Sequence, residues 1–176
     1  MRLLISCLAI LLGSLPARAV DNINLPGSDY VSFDAPSPQS CRNSCGGESR
    51  CQAWTWVKPG IQGPSGRCWL KDREPAIQRN TCCHSGSRDN ITQRDMVAED
   101  RINRPGQDIN NFEVRGWQEC QSACLGAQQC GSWTYVRPGV QGPRARCWLK
   151  HDVARPIADG NTISGVKFRP RSVRID

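Results

Sequence analysis

The stretch WTWVKPGIQGPSGRCWLK, residues 54–71, decides how this chain is read, because residues 133–150 repeat it as WTYVRPGVQGPRARCWLK. Leading into it, Cys51, Ala53, Thr55 and Val57 alternate with Gln52, Trp54 and Trp56, which is the period of a strand. Pro59, Gly60, Gly63 and Pro64 break regular structure over residues 58–66 and predict a loop. Residues 67–71 return as a second strand. The stretch is a β-hairpin with a long, stiff tip.

The repetition extends well beyond the hairpin. At an offset of 79 residues, Asn24, Pro26, Gly27, Asp29 and Phe33 recur as Asn103, Pro105, Gly106, Asp108 and Phe112. Cys41, Cys45, Cys51 and Cys68 recur as Cys120, Cys124, Cys130 and Cys147, and Ser85-Gly86 recurs as Ser164-Gly165. A match this long without a gap is a tandem duplication. Units this small bury too little apolar surface for comfort, and disulfides commonly supply the deficit.

Within the first unit, Pro26-Gly27 predicts a turn and residues 30–33 a short strand. Ser37 and Pro38 suit the N-cap and first turn of a helix, which Gly46-Gly47 can end. Cys41 and Cys45, four apart, share one face of that helix. Beside a sheet carrying Cys51 and Cys68, they predict two helix-to-sheet staples. Spacing alone leaves three connectivities open.

The first 19 residues have the layout of a secretory signal: Arg2, an apolar run from Leu3, and Ala17-Arg18-Ala19 as a small-residue cleavage site. It is too short for a membrane span, and no other apolar run reaches that length. Cleavage removes Cys7 from 11 cysteines and leaves ten, an even number suited to disulfides in a secreted or periplasmic setting. Losing Arg2 and Arg18 from 23 basic residues leaves 21 against 16 acidic ones. So small and scattered a surplus, in an exported chain, argues against a nucleic-acid partner. The expected organisation is a signal peptide at 1–19, modules at 21–90 and 102–169, an exposed polar linker at 91–101, and a tail at 170–176.

C-x3-C-x5-C-x-A-W-T-W-V-x-P-G, followed by a Gly/Pro-rich tip and R-C-W-L-K, resembles the PAN/Apple domain in the form common in exported bacterial proteins. The likeness covers both units. It implies an α+β fold, each module a small curved antiparallel sheet with one helix packed across it. It also implies nested bridges, Cys41–Cys68 with Cys45–Cys51, and Cys120–Cys147 with Cys124–Cys130. The family it resembles is noncatalytic and binds proteins or carbohydrates, which implies a protein or glycan partner and no cofactor. The fold alone does not name the ligand.

Inventory also argues against an enzyme. His84 and His151 are the two histidines, neither in a catalytic motif, and oxidised cysteines are not nucleophiles. Asp29/Asp108 and Asp34/Glu113 recur in register, but turn-capping is their commoner role. Nor do a phosphate loop, a calcium loop or convergent metal ligands occur.

Binding has more material. Trp56 and Tyr135, as outward aromatics beside the tip, with Lys58, Gln62 and Arg67 in the first module and Arg137, Gln141, Arg144 and Arg146 in the second, are the candidate contacts. Trp54 and Trp133 are expected in the core. Trp69 and Trp148, opposite in phase to Cys68 and Cys147, are expected half-buried. Trp117 is the one unshared tryptophan, a local packing solution or an exposed contact.

Cys82-Cys83 faces Asn161-Thr162 in the repeat, so the doublet has no counterpart. A bridge between neighbours or a local pairing is expected; a link to a second chain, or a metal or redox role with His84, is the alternative. The expected function is recognition or adhesion, with a structural or regulatory docking subunit of a secreted complex as the alternative. Asn90-Ile91-Thr92 matches the glycosylation acceptor pattern.

Overall fold

Ser37 opens the first helix as the sequence predicts: its hydroxyl accepts from the Ser40 N–H at 3.1 Å, and Pro38 occupies the first turn. The computed structural model describes residues 20–169. The leader expected at 1–19 and the tail at 170–176 lie outside the described residues.

The first module comprises β1 (Val20–Asn24), β2 (Asp29–Asp34), α1 (Pro38–Gly47), β3 (Ala53–Val57), β4 (Arg67–Lys71) and β5 (Gln78–Ser87). The second repeats it as β6 (Glu99–Asn103), β7 (Asp108–Val114), α2 (Trp117–Gly126), β8 (Ser132–Val136), β9 (Ala145–Lys150) and β10 (Ile157–Val166). Each sheet is antiparallel throughout, in the orders β1-β5-β3-β4-β2 and β6-β10-β8-β9-β7. The hairpin β3–β4 pairs Trp56 with Cys68 and Trp54 with Leu70. Its tip is closed by the Gly60 N–H donating to the Gly63 carbonyl at 2.8 Å.

The helix lies across β3 and β4, and the staples fix it there. The bridges are Cys41–Cys68, Cys45–Cys51, Cys120–Cys147 and Cys124–Cys130, the pairs that the resemblance implies. A fifth joins the neighbours Cys82 and Cys83. Since Cys68 must face the helix, every residue in phase with it does too. Phe33, Trp54, Trp56 and Leu70 therefore form the core with the cysteines. The second core holds Trp133, Tyr135 and Leu149 in the same places.

The recurring Ser-Gly pair has a packing reason. A Cβ on Gly86 would meet the Trp54 indole at 3.0 Å, and one on Gly165 would meet the Trp133 indole at 2.6 Å. The tryptophan occupies the space a side chain there would need. The preceding serines bridge strands, Ser85 to Thr55 at 2.9 Å and Ser164 to Thr134 at 2.8 Å. Trp117 is a packing residue: it stacks on Trp133 with centroids 6.2 Å apart and planes 4° from parallel.

The segment read as an exposed linker, 91–101, is packed in part: Thr92, Arg94, Val97, Asp100 and Arg101 are exposed, but others are not. Arg88, Ile91, Met96 and Glu99 are buried, and β6 already begins at Glu99. The reason lies on α1, whose last turn ends in Gly46 and Gly47. A Cβ on Gly46 would strike Met96 at 2.6 Å, and one on Gly47 would strike Val153 and Val166 of the second module at 2.5 Å. Glycine at both positions lets the join and β10 approach the helix directly.

Polar contacts complete this junction. Arg104, fully buried, donates to the Ser40 carbonyl at 3.2 Å and the Ala154 carbonyl at 2.8 Å, and pairs with Glu99 at 2.8 Å. Arg88 donates to the Cys45 and Cys51 carbonyls and to the carbonyl of Arg169. Arg169, at the end of the second module, donates its N–H to the Gly46 carbonyl at 3.1 Å. Glu48 accepts from Tyr30 and from Arg155, each at 2.8 Å. Burial, together with the Glu48 carboxylate, raises the Tyr30 phenol well above its ordinary range.

Candidate functional site

The helix covers one face of each sheet; on the opposite face the central strand is buried as well, at Thr55, Val57, Thr134 and Val136, and the half-exposed positions lie on β4 and β9. Strand pairing fixes what that second face carries. Thr55, Trp69 and Ser32 stand in one row and Val57, Arg67 and Asp34 in the next. Each is one residue out of phase with the stapled Cys68 row.

On this face Trp69 is half-buried and held from two sides. Its indole N–H donates to Gln62 Oε1 at 2.9 Å, which ties the hairpin tip down to the strand. The Arg67 guanidinium lies 5.9 Å from the ring centroid and also donates to Ser32 at 2.8 Å and Asp34 at 3.0 Å. Near the base, the buried Lys71 ammonium pairs with Asp29 and donates to the Gly27 carbonyl at 3.2 Å.

The second module rebuilds the same arrangement. Trp148 donates to Gln141 at 2.9 Å, Arg146 donates to Asn111, and Lys150 pairs with Asp108. Glu113 takes Arg144 as its partner at 2.9 Å, rather than the strand arginine. Both modules therefore offer an indole fixed by an amide, and the first adds a guanidinium beside it. Such a surface suits hydroxyl-rich or peptide ligands, since it combines apolar area with directional hydrogen bonds.

The structure divides the residues singled out from the sequence. It brings Gln62 and Arg67 together around Trp69 and Gln141 onto Trp148, while Arg146 donates to Asn111 and Arg144 pairs with Glu113 at the exposed rim. Trp56 and Tyr135 do not join them. Both are buried on the helix side, 7% and 8% exposed, and Trp56 donates its indole N–H to the Ala35 carbonyl at 2.8 Å. They cannot be outward contacts because they pair directly with Cys68 and Cys147.

Lys58 and Arg137 also stand apart. Lys58 donates to the Thr81 carbonyl at 2.7 Å, and Arg137 pairs with Asp100 at 2.6 Å. These contacts tie the start of each tip to the neighbouring strands. Trp69 and Trp148 are half-buried, as expected, and face away from the helix. The signal was available: a tryptophan next to a cysteine committed to the helix must face away from it.

The histidines lie outside this face. His84 contacts Asp21 at 2.6 Å and packs against Trp56, while His151 contacts Asp152 at 2.7 Å. The recurring carboxylates act as partners of cations, Asp29 of Lys71 and Asp34 of Arg67.

No curated protein matches the chain. Among solved structures, the two N-terminal apple domains of Toxoplasma gondii microneme protein 4 match at 19% identity and a TM-score of 0.35. The match covers 84% of this chain and 88% of that one. The family model described as PAN domain matches twice, at residues 23–71 and 102–150. Those segments span both helices, both hairpins and all four helix-to-sheet staples, and the chain belongs to the PAN domain family, with two copies in tandem.

Proposed function

We propose that this chain is a noncatalytic recognition protein of an oxidising, extracytoplasmic compartment, which binds through the sheet faces its helices leave uncovered. PAN domains are protein- and carbohydrate-binding modules. One observation carries the assignment of the surface: a half-buried indole on β4 and again on β9, each held by a glutamine of its hairpin tip, Trp69 by Gln62 and Trp148 by Gln141, with Arg67 also beside Trp69.

Glycans suit this face best. An indole beside amide and guanidinium donors matches the apolar faces and hydroxyl edges of sugar rings. Five disulfides support an oxidising compartment, and a leader at residues 1–19 would deliver the chain there. Two linked faces raise avidity for a repeating surface when both engage it.

A glycan array probed with the mature protein tests the reading. Saturable binding that falls when Trp69 and Trp148 become Ala supports it. A blank array, with a protein partner whose capture survives both substitutions, overturns it in favour of docking through another surface.

A further inference from the structure

The two sheet faces are not equal, and the difference is the vicinal bridge. A pocket of about 410 Å³ opens on the first module, between the hairpin tip and the β1–β2 turn. Trp69 and the Cys82–Cys83 bridge both line it. Cys83 pairs with Val57, so it points to the same face as Trp69. The volume falls within the range of small-ligand sites.

From this geometry we infer that the first module's pocket holds one neutral pyranose ring of a glycan, with the Cys82–Cys83 disulfide as an apolar wall. The inference rests on the recognition function proposed above and deepens it. The bridge lies outside the matched family segments, which end at residue 71 in this module.

Three observations carry it. First, the charged residues lining the pocket are Asp29 and Lys71, and they neutralise each other. A charged ligand would find no unpaired counter-ion among them, and desolvating its charge would cost binding. Second, the polar groups are amides with donors to spare. Gln62 spends its oxygen on the Trp69 indole, and Asn80 spends its oxygen on the Cys82 N–H at 3.0 Å. Each keeps an NH2 group that can donate to a hydroxyl. Third, beside the polar Asn24 and Thr55 the walls carry apolar surface from the Trp69 indole, Ile61, Leu25, Val57 and the Cys82–Cys83 bridge, of which Cys82 is the more exposed member. Polarisable sulfur and an aromatic ring suit the C–H face of a sugar.

The second module supplies an internal control. It keeps Trp148, Gln141, Asp108 and Lys150, but Cys82-Cys83 becomes Asn161-Thr162, Asn80 becomes Asp159 and Leu25 becomes Arg104. It lacks the sulfur wall and gains a carboxylate. If the wall matters, the two tryptophans respond differently to one sugar.

The test is a titration of the 15N-labelled mature protein, following its tryptophan indole N–H signals, with Trp69→Phe and Trp148→Phe used to assign the two that matter. The probes are methyl glycosides of neutral hexoses and N-acetylhexosamines, with a methyl glucuronide as the anionic control. A neutral glycoside is expected to shift the Trp69 signal at concentrations that leave Trp148 unmoved. The Cys82→Ser/Cys83→Ser variant should bind it about tenfold or more weakly. Equal shifts at both tryptophans, undiminished binding by that variant, or a response to the glucuronide alone would overturn the inference. The wild-type shifts decide the matter even if the variant fails to fold. Silence from every glycoside, with a protein ligand that shifts both indoles, overturns the pyranose site and leaves the recognition face standing. A ligand bound with neither indole shifted overturns both.

Discussion

Trp56 and Trp69 sit on opposite faces of one sheet, and opposite phenotypes follow. Trp56→Ala removes a buried indole and leaves the Ala35 carbonyl without its donor, so about 3–5 kcal/mol of stability should be lost. Trp69→Ala trims a half-buried ring, and its cost should be about 1 kcal/mol. Urea unfolding of the two variants measures both. Equal losses would mean that the faces are misassigned. The phase of Trp69 was legible, because alternation fixes which residues share a face. Which face meets the helix does not follow from the repeat alone, since it depends on where the cysteines bond. Once Cys68 is bonded to α1, Trp56 and Tyr135 belong to the core and the indoles beside the cysteines face out. The partners of the tip residues were beyond sequence reasoning, because Gln62 reaches Trp69 only through the fold of the tip.

At the scale of elements, the helix start, the return strand and the tip all follow from local chemistry. Ser37 caps, Pro38 pre-sets the first turn, and the Gly/Pro-rich tip turns the hairpin. Strand β3 begins at Ala53, two residues later than the alternation suggested, because the Cys51 N–H is taken by the Glu48 carbonyl at 3.1 Å. The staples rank by the chain they close. Cys41–Cys68 spans 27 residues and Cys45–Cys51 spans 6, worth roughly 3.5 and 2 kcal/mol by the chain-entropy estimate. Replacing the first pair with serines should therefore destabilise the protein more than replacing the second, as read by denaturant midpoints in double-serine variants. The reverse order would show that the short bridge at the helix end carries more than loop closure.

Over the whole molecule, the junction is the part that sequence reading missed. The polar residues 91–101 look like a tether, yet Ile91 and Met96 are buried, and Arg104 reaches across to α1. The repeat held a trace of this: Arg104 stands where the first module has Leu25, and Gly46 stands where the second has Leu125. Those exchanges make the contact one-directional, since Leu125 on α2 is exposed while Gly46 on α1 is covered. Arg104→Ala should strand the buried Glu99 carboxylate and cost about 3–5 kcal/mol. The double change Arg104→Met/Glu99→Leu should recover much of it, because no buried charge is left unpaired. Calorimetry should also show the single variant unfolding in two steps where the wild type unfolds in one. A single unshifted transition in Arg104→Ala would mean that the modules do not depend on this contact.

On the proposed function, ligands meet the strands carrying Trp69 and Trp148. Hydroxyl-radical footprinting of the protein, with and without a saturating ligand from the array, tests this in one measurement. Trp69 and Trp148 are expected to lose reactivity on binding, while the already shielded Trp54, Trp56 and Trp133 stay unchanged. Protection confined to α2 or to the module junction, with Trp69 and Trp148 as reactive as before, would contradict it.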